Sequence, residues 1–468
     1  KTGIMLLYIR REAYMFTEIH LKNFKLYRDV RIDLRSRKLP YKPIIMFYGE
    51  SGSGKTTIAQ AFYTLQRTMK TMELKGMLKD LLDKKLVPPE DSLVKPEALL
   101  SFLKTSLEND GIESIIRESK TIGSDENMSL EYEFVIDGKP GSYLIEMDDS
   151  CIIRERLEYC INKNRGCYVE IDEDHTYINE KIFETKEFID DMNEQIEMYW
   201  GKHSFLSILL YQMSEKADTY INSSISMNLM NLLIAFQNIA YDISGVAIKN
   251  GSSIEDSKLL SNLEKGEVSK AEKSKLQRVE ELLSDFFTSM FKDVKKVYYE
   301  IDEQKNKLKY RLFFTKQIGD YRYNIPFGKE SRGTREVLNL LPFLMEAVSG
   351  KTVIIDEFGI GMHDLLAAKL LEIVAGQIEG QLIIMTHNTM IMDRMNDEHT
   401  KINPEALYFI GRDQENKKVV QCVTDIEARL HPNYNYRNRY ITNPLYKEMR
   451  PEFTDNIDVS ELAALYKA

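Results

Sequence analysis

The chain has 468 residues, 43% of them hydrophobic and 10% aromatic. That supplies cores for two or three folding units and excludes wholesale disorder. A net charge of -10 excludes a uniformly basic coat for nucleic acid, though not a local basic patch. The four cysteines, Cys151, Cys160, Cys167 and Cys422, lack the paired spacing of a zinc site and are too few for a disulfide framework. A reducing, cytoplasmic setting is expected. No stretch reaches the roughly 20 apolar residues that cross a bilayer, so no membrane partner is expected. The apolar run near the start is broken by Arg10 and Arg11 and lacks a small-residue cleavage site, so no secretory signal is expected.

In chain order, Thr17–Phe24 and Val30–Leu34 alternate polar and apolar residues, as half-buried strands do. Tyr41–Tyr48 is a denser apolar run, the pattern of a strand covered on both faces. It ends in Gly49-Glu-Ser-Gly-Ser-Gly-Lys-Thr-Thr57, and a helical pattern follows from Ile58. Residues 62–120 read as helical with a break at Pro88-Pro89. Residues 129–179 read as short alternating strands, with a hairpin turn at Asp137-Gly138. Residues 181–290 read as helices around an exposed Asn250-Gly-Ser-Ser253 loop. Strands follow at 296–301 and 308–314, then a helix from Val337. A buried strand at 352–355 ends in Asp356-Glu357, a helix covers 362–378, and a last buried strand from Gln381 ends in Thr386-His387-Asn388. Parallel strands separated by helices predict an α/β fold. Its core is split, with an N-terminal lobe over 1–180, a helical insertion over 181–290 and a C-terminal lobe over 291–468; the insertion is expected to project from the body, the alternative being that its helices pack on the core.

The glycine loop matches the phosphate-binding P-loop at every defined position. Gly49, Gly52 and Gly54 permit a tight turn in which backbone N–H groups of Ser51, Ser53 and their neighbours face inward toward phosphates. Lys55 adds a point charge near the β- and γ-phosphates. Thr56 offers a hydroxyl to Mg²⁺, and Thr57 completes the loop. Asp356, at a buried strand end, is the expected second Mg²⁺ contact. Glu357 stands where a carboxylate orients or deprotonates the attacking water. His387 is placed to hydrogen-bond the γ-phosphate. Ser331 begins a helix and offers a hydroxyl and free N–H groups to an anion. ATP and Mg²⁺ are the expected cofactors.

These four elements, in this order, resemble the ABC-type ATPase heads of the RecF- and SMC-like branch. Ser331-Arg-Gly-Thr334 is similar to the Ser-x-Gly-Thr signature of the overcoming-lysogenization-defect (OLD) and abortive-infection ATPases, among them the AbiL, RloA, PARIS AriA and Septu PtuA types. It differs from the Leu-Ser-Gly-Gly-Gln signature of transporters. Asp356–Asp364 resembles the family's Asp-Glu-x-x-x-x-Leu-His-Pro, with Asp364 in place of the proline. Leu21–Tyr27 resembles the family's first strand, and Asn435–Tyr440 its Arg/Tyr-rich tail. The resemblance implies a homo-oligomer of head-to-head pairs, in which Ser331 and Gly333 of one copy close the nucleotide site of the other. It also implies a Q-loop glutamine as a further metal contact, for which Gln212 is the candidate. About 80 residues follow His387, too few for a Toprim domain, so no intrinsic nuclease is expected. The implied role is an anti-phage ATPase sensor or scaffold controlling a separate Toprim- or HNH-type nuclease or toxin, triggered by a phage protein or nucleic acid. The alternative is a RecF-like repair ATPase that clamps DNA, for which the lysine-rich stretch from Lys265 to Lys275 is a candidate contact.

Overall fold

The computed structural model describes residues 14–73, 111–246, 259, 262–395, 402–413, 415–427, 429–431 and 434–450. The expected Pro88-Pro89 break, the loop at 250–253 and the apolar run before residue 10 lie outside them. In chain order the elements are β1 (Tyr14–Phe24), β2 (Tyr27–Asp33), β3 (Ile44–Tyr48), α1 (Lys55–Lys70), α2 (Ile112–Ser119), β4 (Met128–Ile136), β5 (Lys139–Met147), β6 (Ile152–Ile161), β7 (Asn164–Asp172) and β8 (Thr176–Ile178). Next come α3 (Lys186–Tyr199), α4 (Phe205–Glu215), α5 (Asp218–Ser224), α6 (Met227–Gln237), β9 (Ala240–Asp242), β10 (Lys265–Ser269) and α7 (Lys273–Met290). The chain continues through β11 (Val294–Glu303), β12 (Lys307–Ile318), β13 (Tyr321–Pro326), α8 (Arg332–Val348), β14 (Thr352–Ile355), α9 (Asp364–Ala375) and β15 (Gln381–Met385). It ends in β16 (Leu407–Arg412), β17 (Lys418–Cys422), α10 (Val423–Ile426) and α11 (Tyr436–Thr442).

Two sheets sandwich α1. One is antiparallel, in the order β2-β1-β4-β5-β6-β7-β8, and one is mostly parallel, in the order β17-β16-β3-β15-β14-β9. All residues of β3, β14 and β15 are buried, which is why these segments read as unbroken apolar runs. In the antiparallel sheet one face is covered and the other is solvated, so polar and apolar residues alternate. A bulge between Phe16 and Glu18 keeps Phe16 on the inner face with Ile19 and Leu21. The β4–β5 hairpin turns on Asp137 and Gly138, at φ 55° and 71°, the two left-handed positions that a type I′ turn demands. Phe62 of α1 packs edge-on against Phe16, and the Tyr132 hydroxyl donates to the Ala61 carbonyl at 2.6 Å. Polar side chains join the sheets directly. Gln381 exchanges hydrogen bonds with both backbone groups of Phe16 and donates to the Lys42 carbonyl, while Thr352 donates to the Tyr14 carbonyl.

The stretch 181–290 differs from the projecting helical insertion expected of it. Its first helices lie on the body: Ser204 donates to the Thr68 carbonyl, and Ser207 bonds Thr71 and the Met72 N–H at the far end of α1. Gln66 of α1 donates to the carbonyls of Phe236, Gln237 and Ile239, and so holds the end of α6. β9 then enters the parallel sheet beside β14. Further on, β10 joins β11–β13 in a separate antiparallel sheet covered by α7, where Phe287 meets Phe314 edge-on. Acids pair with several lysines of this sheet and of α7. Lys307 and Lys309 pair with Glu267, and Lys273 pairs with Glu303.

Candidate functional site

The carboxyl ends of the adjacent parallel strands β3, β15 and β14 open on one rim, where an open α/β sheet binds its ligand. The loop after β3 requires its glycines. A Cβ at Gly49 would stand 2.6 Å from Ser53 Oγ and 3.0 Å from the Ile410 carbonyl. Gly52 and Gly54 have φ of 74° and 118°, and a Cβ at Gly54 would meet the Tyr27 hydroxyl at 2.7 Å. Gly54 leads directly into α1, so the loop's N–H groups and the helix N-terminus face the same space.

Lys55 is buried and donates to the carbonyls of Gly49 and Glu50 at 2.8 and 2.9 Å. Desolvation lowers its pKa to about 8, against the opposing pull of Asp356, Glu357 and Glu50. Thr56 Oγ1 donates to Asp356 Oδ2 at 2.7 Å, bringing together two groups 300 residues apart in sequence. Burial raises the Asp356 carboxyl above its usual range, opposed by Thr56, the Glu357 N–H, Ser244 and Lys55. The Asp356 N–H donates to the Asp242 carbonyl, so β9 props this strand end. Glu357 is exposed at φ 56°, a strained conformation for a non-glycine residue, and its N–H donates to Asp356 Oδ1. Thr386 donates to the Phe358 carbonyl, and the Phe358 N–H to the Met385 carbonyl, which locks the ends of β14 and β15 together. His387 is exposed at this rim. Partial desolvation and the charge of Lys55 hold its pKa below the ordinary imidazole value, while Asp356 pulls the other way.

The structure thus gathers Gly49, Gly52, Gly54, Lys55, Thr56, Asp356, Glu357 and His387. Ser51 lies exposed at the crown of the loop; Ser53 and Thr57 are buried, and Ser53 Oγ has no partner among the described residues. Ser331 and Gly333 take a different place. Ser331 Oγ accepts from the Thr334 N–H and caps α8, and Gly333 packs on the Gly361 carbonyl in the turn after Glu357 of the same chain. Gln212 does not reach the pocket. The Ser204–Thr68 contact already lies about 20 Å along α1 from Lys55, and α4 runs on from there alongside Thr71 and Met72. His363 Nδ1 accepts from the Leu365 N–H, an N-cap that gives the histidine of the Asp356–Asp364 segment a structural role. Two residues escaped the sequence reading. Tyr27 buttresses Gly54, donating to its carbonyl at 3.3 Å, and Lys418 donates to the Gly52 carbonyl at 3.3 Å. Tyr27 ends the Leu21–Tyr27 segment but had no site role there, and Lys418 carries no local motif; the pairing of β1 with β2 and of β16 with β17 places them here.

A cradle of glycines, an inward ammonium and a hydroxyl–carboxylate pair at bonding distance fit a nucleoside triphosphate with its Mg²⁺. Thr56 and Asp356 are the residues that would hold the ion. Among the described residues there is no cluster of three or more His, Cys, Asp or Glu side chains fit for another metal, the four cysteines are free, and no helix is long and apolar enough to cross a membrane.

The profile of the AAA_15 family, described as an AAA ATPase domain, matches residues 15–392. Among solved structures, the chain is similar to the SMC head domain from Thermotoga maritima at 13% identity and a TM-score of 0.36, covering 87% of this chain and 98% of that one. An SMC head from Pyrococcus furiosus bound to the C-terminal domain of ScpA gives 13% identity and a TM-score of 0.37, covering 88% and 97%. The recombination mediator protein RecF gives 11% and 0.32, covering 88% and 99%. At such identities and scores these likenesses bear on neither partner nor substrate. A search of curated proteins finds no match. With a family profile spanning well over half of its residues, the chain belongs to the AAA ATPase domain family.

Proposed function

We propose that this chain binds MgATP and hydrolyses it to ADP and phosphate, as the switch of a multi-protein assembly. The observation that carries the reading is the 2.7 Å bond between Thr56 Oγ1 and Asp356 Oδ2, beside Lys55 and with Glu357 as the next residue. Thr56 and Asp356 would hold the Mg²⁺, which would supply positive charge against the negative charge that develops on the transferring phosphoryl group. Loop N–H groups and Lys55 orient the triphosphate. Glu357, exposed on a strained turn, accepts the proton of the attacking water. His387, its pKa held below the ordinary imidazole value by partial desolvation and Lys55, hydrogen-bonds the γ-phosphate.

Ser331 and Gly333 stand at the N-terminus of α8, where Gly333 packs on the turn after Glu357. This favours head-to-head pairing, in which they close the site of a second copy. The Ser331-Arg-Gly-Thr334 signature supports a cytoplasmic role in bacterial anti-phage defence, sensing a phage protein or nucleic acid and controlling a separate nuclease or toxin.

Glu357→Gln tests the chemistry. Isothermal titration should show ATP affinity within about threefold of wild type, while phosphate release falls at least about 100-fold. Comparable turnover in the variant removes Glu357 as the base. Co-purification with the product of the neighbouring gene tests the role. Recovery of a nuclease or toxin supports defence; strong, salt-dependent DNA binding without any partner supports the RecF-like clamp instead.

A further inference from the structure

A second lysine approaches the phosphate loop from outside. β16 runs parallel to β3, with Phe409 opposite Tyr48, and so carries the β16–β17 hairpin up beside the loop. Lys418, the first residue of β17, is half-buried there, with its Nζ 3.3 Å from the Gly52 carbonyl. Charge-assisted bonds of this kind normally close to about 2.8 Å, so the carbonyl holds the ammonium loosely.

The surroundings leave this cation under-compensated. Its cross-strand neighbour is Arg412, which bonds the uncharged Asn416 Oδ1. Lys417 pairs with Glu415, and Asp413 accepts from the backbone N–H groups of Glu415 and Lys417. Desolvation and Arg412 both lower the Lys418 pKa against the pull of Glu50, and Lys418 in turn lowers that of Lys55. Two ammonium groups converging on one loop repel each other until an anion lies between them.

We propose that Lys418 is a second phosphate-recognising residue, which reads a nucleoside polyphosphate from the outer edge of the loop and favours the triphosphate over the diphosphate. The inference rests on the ATP reading above. Lys418 lies beyond the residues matched by the family profile, so family membership assigns it no role. Its long stem lets the ammonium leave the Gly52 carbonyl for a phosphate oxygen, as Lys55 exchanges its loop carbonyls for the γ-phosphate.

The test is titration of the full chain with MgATP and MgADP at low and moderate salt, for wild type, Lys418→Met and Lys418→Arg, with melting temperatures measured without nucleotide. Lys418→Met should bind MgATP about tenfold more weakly and MgADP about threefold more weakly, with a shallower salt dependence, while its melting temperature holds. Lys418→Arg should recover most of the loss. Equal affinities of Lys418→Met and wild type overturn the proposal. So does an equal loss for both nucleotides with a lowered melting temperature, the mark of a mere brace. A wild-type chain that binds no ATP sinks the ATPase reading, and this inference with it; normal wild-type binding without the Lys418 effect sinks the inference alone.

Discussion

Glu155 offers the sharpest check on how this chain is built. Its carboxylate is buried beneath the antiparallel sheet, where it accepts from the Tyr143 hydroxyl at 2.7 Å, Trp200 Nε1 at 3.0 Å and the Phe205 N–H at 2.8 Å. The last bond caps α4, the helix docked on the far end of α1. Desolvation outweighs these donors and raises the Glu155 pKa from 4.5 to about 7. Between those two values the folded chain holds a proton that the unfolded chain has released. Stability from this group is therefore full below pH 4.5 and is lost as pH rises through 7. At about 1.4 kcal/mol per pH unit, the loss amounts to about 3 kcal/mol. Glu155→Gln keeps acceptors for Phe205 and Trp200 but cannot ionise. Urea denaturation of both chains at intervals from pH 5 to 8 isolates the effect, because other carboxylates cancel in the difference. The variant should gain on wild type by about 2–3 kcal/mol across that range. Parallel stability curves would refute the reasoning and show that the three donors and the helix end stabilise the carboxylate fully.

Two further outcomes are expected. Lys55→Ala removes the inward ammonium and should weaken ATP binding roughly 10- to 100-fold by calorimetry, with phosphate release lost. Arg439 binds both oxygens of buried Glu427 at 2.7 and 2.6 Å, so Arg439→Ala should cost about 3 kcal/mol in denaturant unfolding, and Arg439→Ala with Glu427→Gln distinctly less.

What was legible in the sequence was local. β3, β14 and β15 announced themselves as unbroken apolar runs because both their faces are covered, and the P-loop because its glycines serve an unusual backbone path. The Asp137-Gly138 turn is likewise written in two adjacent residues. Glu155 was not singled out, although the structure sets it on the inner face of β6 with Leu157 and Tyr159. What escaped depends on partners distant along the chain. Ala240–Asp242 is too short to show a period and is a strand only because Ile355 lies beside Asp242. α4 docks through buried Phe205, Leu206, Ile208 and Leu209, but its position on α1 is fixed by serine hydroxyls, which no apolar pattern reveals, and that docking also carries Gln212 away from the phosphates. Lys418 looked like one more surface lysine until the hairpin brought it to Gly52.

The side-chain sutures between the sheets have a mechanical consequence. Gln381 and Thr352 fasten β1 at the entry ends of β15 and β14, opposite the rim that carries Lys55, Asp356 and His387. At the rim itself Tyr27 of the same antiparallel layer bonds the Gly54 carbonyl, so the two layers are tied at both ends and a load on the outer layer reaches the phosphate loop directly through Tyr27.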